Sequence, residues 1–94
     1  MNKPRERVVI TAMGANRPGV LAGITRILAD ANVNVDDVSQ KIMQEFFALM
    51  MVTDFSGANC TFEDFQGRLQ KLADEMKVKI ISQHESVFTF MHRL

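Results

Sequence analysis

Residues 8–21, Val-Val-Ile-Thr-Ala-Met-Gly-Ala-Asn-Arg-Pro-Gly-Val-Leu, decide the fold of this chain. The first residues of this stretch are β-branched and apolar without alternation, which is typical of a strand buried on both faces. Turn-forming residues follow, and Pro18 favours the first turn of a helix because its missing N–H is not needed there. The stretch therefore predicts a central strand over residues 5–13, a tight turn over 14–19 and a helix N-terminus.

Two helices are predicted, over residues 18–31 and 61–76, from apolar residues that recur at steps of three and four. Asn32 is expected to stop the first helix, since Asn tolerates a left-handed conformation at a helix end. Thr61 is expected to cap the second helix, and Asp64 lies at the position of a capping box.

Three further strands are predicted around these helices. They cover residues 33–42 with an extra residue, a β-bulge, at Asp36-Asp37; residues 46–52 after a turn at Gln44-Glu45; and residues from Val78 through Phe90 with a break near 83–85. Adjacent Asp36 and Asp37 would point to opposite faces of a regular strand, so they do not suggest a carboxylate pair.

The element order is strand, helix, strand, strand, helix, strand. This order predicts an α+β, ferredoxin-like βαββαβ sandwich, in which two helices cover one face of a four-stranded antiparallel sheet. A chain of 94 residues has room for one domain, so residues 1–94 are expected to form a single unit.

The third predicted strand is apolar on both of its faces. One face carries Phe46, Ala48, Met50 and Val52, and the other carries Phe47, Leu49 and Met51. Two helices cover only one face, and a bare apolar sheet face is unusual in a soluble monomer. We therefore expect a homodimer or tetramer; the alternative is that long Lys and Arg stems or the C-terminal tail cover the face.

The composition excludes several classes of function. The formal net charge is zero and the basic residues are spread along the chain, so the sequence shows no electrostatic footprint for nucleic acid or an anionic membrane. Cys60 is the single cysteine, which excludes an internal disulfide. The spacing of Cys60, His84 and His92 supports no metal site, and no cofactor is predicted. We expect a soluble, cytoplasmic protein.

The turn before the first helix is the best candidate site. A helix N-terminus offers free N–H groups to a carboxylate or phosphate, and glycines such as Gly14 and Gly19 allow close approach. Asn16 supplies both a donor and an acceptor. The same residues also suit an ordinary strand-to-helix turn, with Asn16 as a cap and Gly19 present for packing.

Residues 13–22, followed by Ala31-Asn32-Val33-Asn34-Val35, resemble the ACT domain, an amino-acid-binding regulatory module of many biosynthetic enzymes. Val38-Ser39-Gln40, Phe46-Phe47 and the closing Met91-His92-Arg93-Leu94 further resemble small stand-alone ACT proteins, to which glycine-cleavage repressor-like proteins are related. The resemblance implies a non-catalytic, ligand-binding regulator that functions as an oligomer.

The resemblance also implies which residues hold the ligand. They are Gly14, Asn16, Arg17, Gly19, Val20, Leu21 and Asn34. The serine-binding ACT domain of phosphoglycerate dehydrogenase shares the string Asn-Arg-Pro-Gly-Val-Leu, and its residues matching Asn16 and Asn34 contact the ligand across a dimer interface. Its ligand-contacting His is matched here by Gly14, so the resemblance does not identify serine as the ligand.

Three other functions remain open at this stage. Acylphosphatases share the strand–helix order and use an Arg in the first loop, as Arg17 could be used here, but their longer glycine-rich loop is not evident. RNA-recognition domains share the topology, but residues 46–52 contain no Lys or Arg. The third alternative is a dimerisation module that binds no metabolite.

Overall fold

The computed structural model describes residues 6–91 of the chain. The elements are β1 (Arg7–Ala15), α1 (Val20–Asp30), β2 (Asn34–Met43), β3 (Phe46–Asp54), α2 (Phe62–Met76), β4 (Lys79–His84) and α3 (Glu85–Met91). The first six elements follow the predicted βαββαβ order, and α3 is an addition to it.

The four strands form one antiparallel sheet in the order β2-β3-β1-β4. The two central strands, β1 and β3, pair along their whole length, from Arg7 opposite Asp54 to Ala15 opposite Phe46. This sheet and the two long helices confirm the predicted ferredoxin-like α+β class. They also place β2 at one edge of the sheet.

The core lies between the sheet and helices α1 and α2. It is built from alternate residues of β1 and β3 and from the apolar stripes of both helices, including Val8, Ile10, Ala12, Leu49, Met51, Ile24, Leu28, Phe65 and Leu69. The buried Thr53 hydroxyl donates to the Val8 carbonyl at 2.8 Å, so this polar group is satisfied inside the core.

The junction of β1 and α1 differs from the sequence prediction. The strand continues through Ala15 because Phe46 and Phe47 of β3 provide ladder partners for its last two residues. The helix begins at Val20 rather than at Pro18, because Gly19 has a φ of +94° and a left-handed residue cannot continue a helix. Pro18 therefore lies in the turn.

The chain after His84 also differs from the prediction. The strand does not continue through Val87, Phe88 and Phe90; residues Glu85–Met91 form α3. The pair His84–Val8 is the last of the β1–β4 ladder. Only Arg7 of β1 lies beyond this pair, so a strand that continued to Phe90 would lack a partner, whereas a helix satisfies most of its backbone groups internally.

Several local predictions are confirmed. The β2–β3 register shifts between Val35 and Asp37, which is the expected bulge. Asn32 adopts a left-handed φ of 58° just after α1. The Asp64 N–H donates to the Thr61 hydroxyl at 3.1 Å, which caps α2. Each of these features follows from local chemistry.

The sheet face away from α1 and α2 remains partly open. Phe46, Met50 and Met13 are exposed there. At its other end Val9 is only 4% exposed, and α3 contacts both β1 and β4. The C-terminal segment thus covers part of this face. His92, Arg93 and Leu94, and the N-terminal residues 1–5, lie outside the described residues.

None of the helices within residues 6–91 is long and apolar enough to cross a membrane.

Candidate functional site

A cavity of about 100 Å³ lies between the N-terminus of α1 and the helix-facing side of β2 and β3. It is lined by Asn16, Arg17, Gly19, Val20, Leu21, Ala22, Gln40, Phe47 and Leu49. The cavity therefore contains five of the seven residues that the sequence predicted for the site. Its floor is apolar and its rim carries amide groups.

The N-terminus of α1 brings unpartnered backbone donors to this cavity. Gly19 is the N-cap and offers no side chain, and the first helical bond runs from the Gly23 N–H to the Gly19 carbonyl at 2.9 Å. Val20, Leu21 and Ala22 lie between Gly19 and Gly23. Their N–H groups come before the first helical hydrogen bond and therefore have no acceptor within the helix. All three residues line the cavity.

The N-termini of the two long helices differ in their capping. The N-terminus of α2 has the Thr61 side-chain cap, with Glu63 and Asp64 in the first turn. Helix α1 has neither a side-chain cap nor an acidic residue in its first turn. The positive end of the α1 dipole is therefore not neutralised by its own first turn, and an anion would be stabilised there.

Two carboxamide side chains complete the polar lining. Asn16 follows β1, and its backbone N–H donates to the Glu45 carbonyl at 2.7 Å, which ties the turn to the β2–β3 connection. Gln40 comes from the edge strand β2. Within residues 6–91 neither carboxamide makes a hydrogen bond, so both can donate to and accept from a ligand.

Arg17 lines the cavity, but its guanidinium has a structural partner. Its Nη1 donates to the Met76 carbonyl at 2.8 Å, at the last residue of α2. A cation at a helix C-terminus is favourable because it opposes the negative end of the dipole. Arg17 thereby fixes the β1–α1 turn against the end of α2.

Gly14 and Asn34 do not line the cavity in this chain. A Cβ on Gly14 would lie 3.0 Å from Val78 Cγ1, so the glycine permits the close approach of the chain entering β4. Asn34 opens β2, while the other end of that strand, Met43, is beside the β1–α1 turn. Eight residues of β2 lie between Asn34 and Met43, so the two ends of the strand are about 30 Å apart.

Comparison with known proteins identifies the family. The family model of the ACT domain matches residues 6–83. The chain belongs to the ACT domain family. A UPF0237 protein of Methanopyrus kandleri is 42% identical over 88 residues, which are 94% of this chain and 98% of that protein. The resemblance predicted from residues 13–22 and 31–35 is confirmed.

Solved structures show the same ACT fold. An ACT domain protein from Streptococcus pneumoniae is similar with a TM-score of 0.76 and 27% identity, covering 90% of this chain and 96% of that one. A candidate glycine cleavage system transcriptional repressor has a TM-score of 0.75 at 23% identity, covering 87% of this chain and 47% of that one. The second likeness concerns the fold alone.

Four lining residues of this ACT domain were not predicted from the sequence: Ala22, Gln40, Phe47 and Leu49. Gln40 lies on the same side of β2 as Val38 and Ile42, and the β2–β3 register places it opposite Leu49. The two-residue spacing of Val38, Gln40 and Ile42 along β2 is the sequence feature that could have indicated this face. The bulge obscured it, because it shifts the alternation by one residue.

Other titratable groups lie elsewhere in the ACT domain. His84 Nε2 is 3.0 Å from Glu6 Oε2, and the His84 ring is 4.3 Å from the Phe62 ring. Cys60 is a half-buried free thiol. Across residues 6–91, no three His, Cys, Asp or Glu side chains are grouped to hold a metal ion.

A larger depression of about 520 Å³ runs along the exposed side of α2. Its lining includes Asp64 and Arg68, whose side chains are paired with each other at 2.8 Å. The depression is shallow, and its Asp64 and Arg68 side chains are already engaged with each other. The cavity at α1 is smaller but offers unpartnered donors, so we regard it as the candidate site.

Proposed function

We propose that this ACT domain is a non-catalytic regulatory module that binds a small amino acid at the α1 cavity, at an interface between two copies of the chain. The observation that carries the proposal is the uncapped N-terminus of α1. Three backbone N–H groups without intrahelical acceptors line a cavity that also holds two free carboxamides.

The donors and acceptors suit a zwitterion. The N–H groups of Val20, Leu21 and Ala22 would hold the carboxylate at the positive end of the helix dipole. The carbonyl oxygens of the Asn16 and Gln40 side chains would accept from the ammonium group. The apolar rings and methyl groups of Phe47 and Leu49 would contact a small side chain.

The cavity volume points to a small ligand and an incomplete site. Pockets that enclose a drug-sized ligand measure about 300–1,000 Å³, and this cavity measures about 100 Å³. A second copy that pairs along the β2 edge in antiparallel fashion would bring its own Asn34 to the Met43 end. Asn34 would then contribute to the site from the partner subunit.

A site shared between subunits gives the module a way to signal. A ligand that contacts both copies binds more tightly to the dimer than to the separated chains. It also binds most tightly when the two subunits have one particular relative orientation. By linkage the ligand stabilises that orientation to the same extent. No chemical step is required for such a response.

The ligand class can be identified by thermal-shift screening against the twenty amino acids at fixed protein concentration. A ligand present at 100 times its dissociation constant adds about 2.7 kcal/mol to the free energy of unfolding. For a domain of this size that raises Tm by several degrees or more. We expect a small amino acid to give such a shift; no shift with any of the twenty would contradict the proposal.

Substitution Asn34→Ala is expected to weaken binding of the amino acid found in the screen by about 1–3 kcal/mol, or roughly 5- to 150-fold. The loss arises because a desolvated ligand group is left without its hydrogen-bond partner. Isothermal titration calorimetry of both proteins measures it. Asn59→Ala is the control, since Asn59 donates to the Asp30 carbonyl at the opposite end of α1. Equal affinities of wild type and Asn34→Ala would remove Asn34 from the site.

A second candidate function is an interaction module that binds no metabolite. All ten residues of β2 are exposed, and the open sheet face carries Phe46, Met50 and Met13. Both surfaces suit protein association. An oligomer with no amino-acid ligand in the screen would favour this alternative.

A hydrolytic role of the acylphosphatase kind is less compatible with the geometry. The Arg of the first loop, Arg17, donates from Nη1 to the Met76 carbonyl, so in this geometry that donor is already used and does not join the free N–H groups of α1 around a phosphate. We therefore expect no hydrolysis of acetyl phosphate or benzoyl phosphate by the purified protein. Turnover of either substrate would instead support an enzyme.

A further inference from the structure

The segment that joins α2 to β4, residues 76–78, contains a strained residue; we call it the α2–β4 corner. Lys77 has a φ of 57° and a ψ of 45°, a left-handed conformation that is unfavourable for a residue with a Cβ. Its N–H and the N–H of Val78 both donate to the Ala73 carbonyl. Glycine is the usual residue at such a helix end. The corner therefore keeps its shape against a conformational cost.

The end of α2 is also unfavourable in its charges. Its last turn contains Asp74 and Glu75 and no basic residue, although the negative end of a helix dipole favours cations. The Arg17 guanidinium supplies the missing cation, since its Nη1 donates to the Met76 carbonyl at 2.8 Å. This carbonyl is one of the last four of α2, which have no donor within the helix. Arg17 thus stabilises the corner from a position 59 residues away in the sequence.

The same arginine belongs to the wall of the α1 cavity. Arg17 lines the cavity and lies in the turn that leads to Gly19, the N-cap of α1. This turn approaches the corner at a second point, because a Cβ on Gly14 would lie 3.0 Å from Val78 Cγ1. One short segment therefore connects the free N–H groups of α1 to the α2–β4 corner.

We propose that Arg17 is a positioning residue that couples occupancy of the α1 cavity to the order of the α2–β4 corner. Its bond to the Met76 carbonyl holds the turn in place beside the free N–H groups, without contact between Arg17 and the bound amino acid. An amino acid that orders the turn then also orders the corner, and by linkage an ordered corner strengthens binding to the same extent. The inference rests on the proposed function and adds to it the segment that responds to binding.

Lys77 allows the order of the corner to be changed without touching the cavity. Its side chain is exposed, and the residue does not line the cavity. Substitution Lys77→Gly removes the cost of the left-handed conformation and so stabilises the corner when the Arg17 bond is absent. A second-site variant can therefore replace the effect of Arg17 on the corner, but it cannot replace a contact between Arg17 and a ligand.

Hydrogen exchange followed by NMR measures the order of the corner in the ligand-free protein. We expect Arg17→Gln to speed exchange at the Val78 amide about five-fold or more, and Lys77→Gly in the same background to return it to within about two-fold of wild type. Arg26→Gln is the matched control, because exposed Arg26 is paired with Asp30 on its own helix. Unchanged exchange at Val78 in Arg17→Gln would overturn the proposal.

Calorimetric titration with the amino acid that gives the largest thermal shift separates positioning from direct contact. Arg17→Gln is expected to weaken binding about ten-fold, and the double variant Arg17→Gln/Lys77→Gly should return to within about three-fold of wild type. Arg26→Gln should bind as wild type does. A double variant as weak as Arg17→Gln would mean that Arg17 contacts the amino acid directly, and the positioning role would be wrong.

Exchange measured with saturating amino acid tests the coupling in the other direction. In wild type, binding should slow exchange at Val78 about five-fold; in Arg17→Gln it should leave this exchange unchanged. Binding that does not alter exchange at Val78 in wild type would reject the coupling and leave the proposed function standing. Failure of all twenty amino acids to bind would reject the proposed function and the coupling together.

Discussion

Replacing Phe65 by Ala is expected to lower the free energy of unfolding by about 3–5 kcal/mol. Phe65 is fully buried under the sheet, and its ring lies 5.2 Å from the ring of Phe55. The substitution removes an aromatic side chain from the middle of the α2 stripe and leaves a cavity that the neighbouring strands cannot fill. Small domains have only about 5–15 kcal/mol in total, so the loss is a large part of the margin.

Urea unfolding followed by circular dichroism at fixed protein concentration measures this loss. The control is Phe46→Ala, which removes the same ring from a residue that is 59% exposed on the open sheet face. We expect the control to change the free energy of unfolding by less than about 1 kcal/mol. Comparable losses in the two variants would mean that the open face is as well packed as the core, contrary to the structure.

Replacing Ala22 by Phe is expected to weaken amino-acid binding at least about 100-fold, which corresponds to about 2.7 kcal/mol. Ala22 is exposed in the first turn of α1 and lines the cavity of about 100 Å³. A phenyl ring there would occupy the space beside the free N–H groups. Because the position is exposed, the fold itself should change little in stability.

The matched control for this variant is Ala29→Phe. Ala29 is also exposed on α1, but it lies near the opposite end of the helix and does not line the cavity. Calorimetric titration should show wild-type affinity for Ala29→Phe and none measurable for Ala22→Phe. Unchanged affinity in Ala22→Phe would place the ligand elsewhere.

Features of this fold that depend on near neighbours could be predicted from the sequence. Thr61 with Asp64 marked the start of α2, and Asp36-Asp37 marked the bulge. The helical spacing located both long helices to within two residues. Features that depend on distant partners were missed. Strand β1 continues to Ala15 because β3 offers it partners, and β4 does not run on to Phe90 because β1 begins at Arg7, one residue beyond the partner of His84.

The same distinction applies to the candidate site. The turn chemistry identified Asn16, Gly19 and the residues that begin α1, since a helix N-terminus has known requirements. The contact of Arg17 with Met76 spans 59 residues of sequence and has no local pattern. Gln40 lies at the cavity because of the register between β2 and β3 and the bulge in β2. That register depends on both strands, so neither segment specifies it alone.

The most direct measurement of the central claim is a titration of the ¹⁵N-labelled protein, followed by NMR, with the amino acid that gives the largest thermal shift. The account predicts saturable changes that are largest at the amides of Val20, Leu21 and Ala22 and at the side-chain amide of Asn16. Asn34, as the partner's contribution, should move with the same saturation curve. Changes that are largest along the depression on α2, at residues 61–71, or that never saturate, would contradict it.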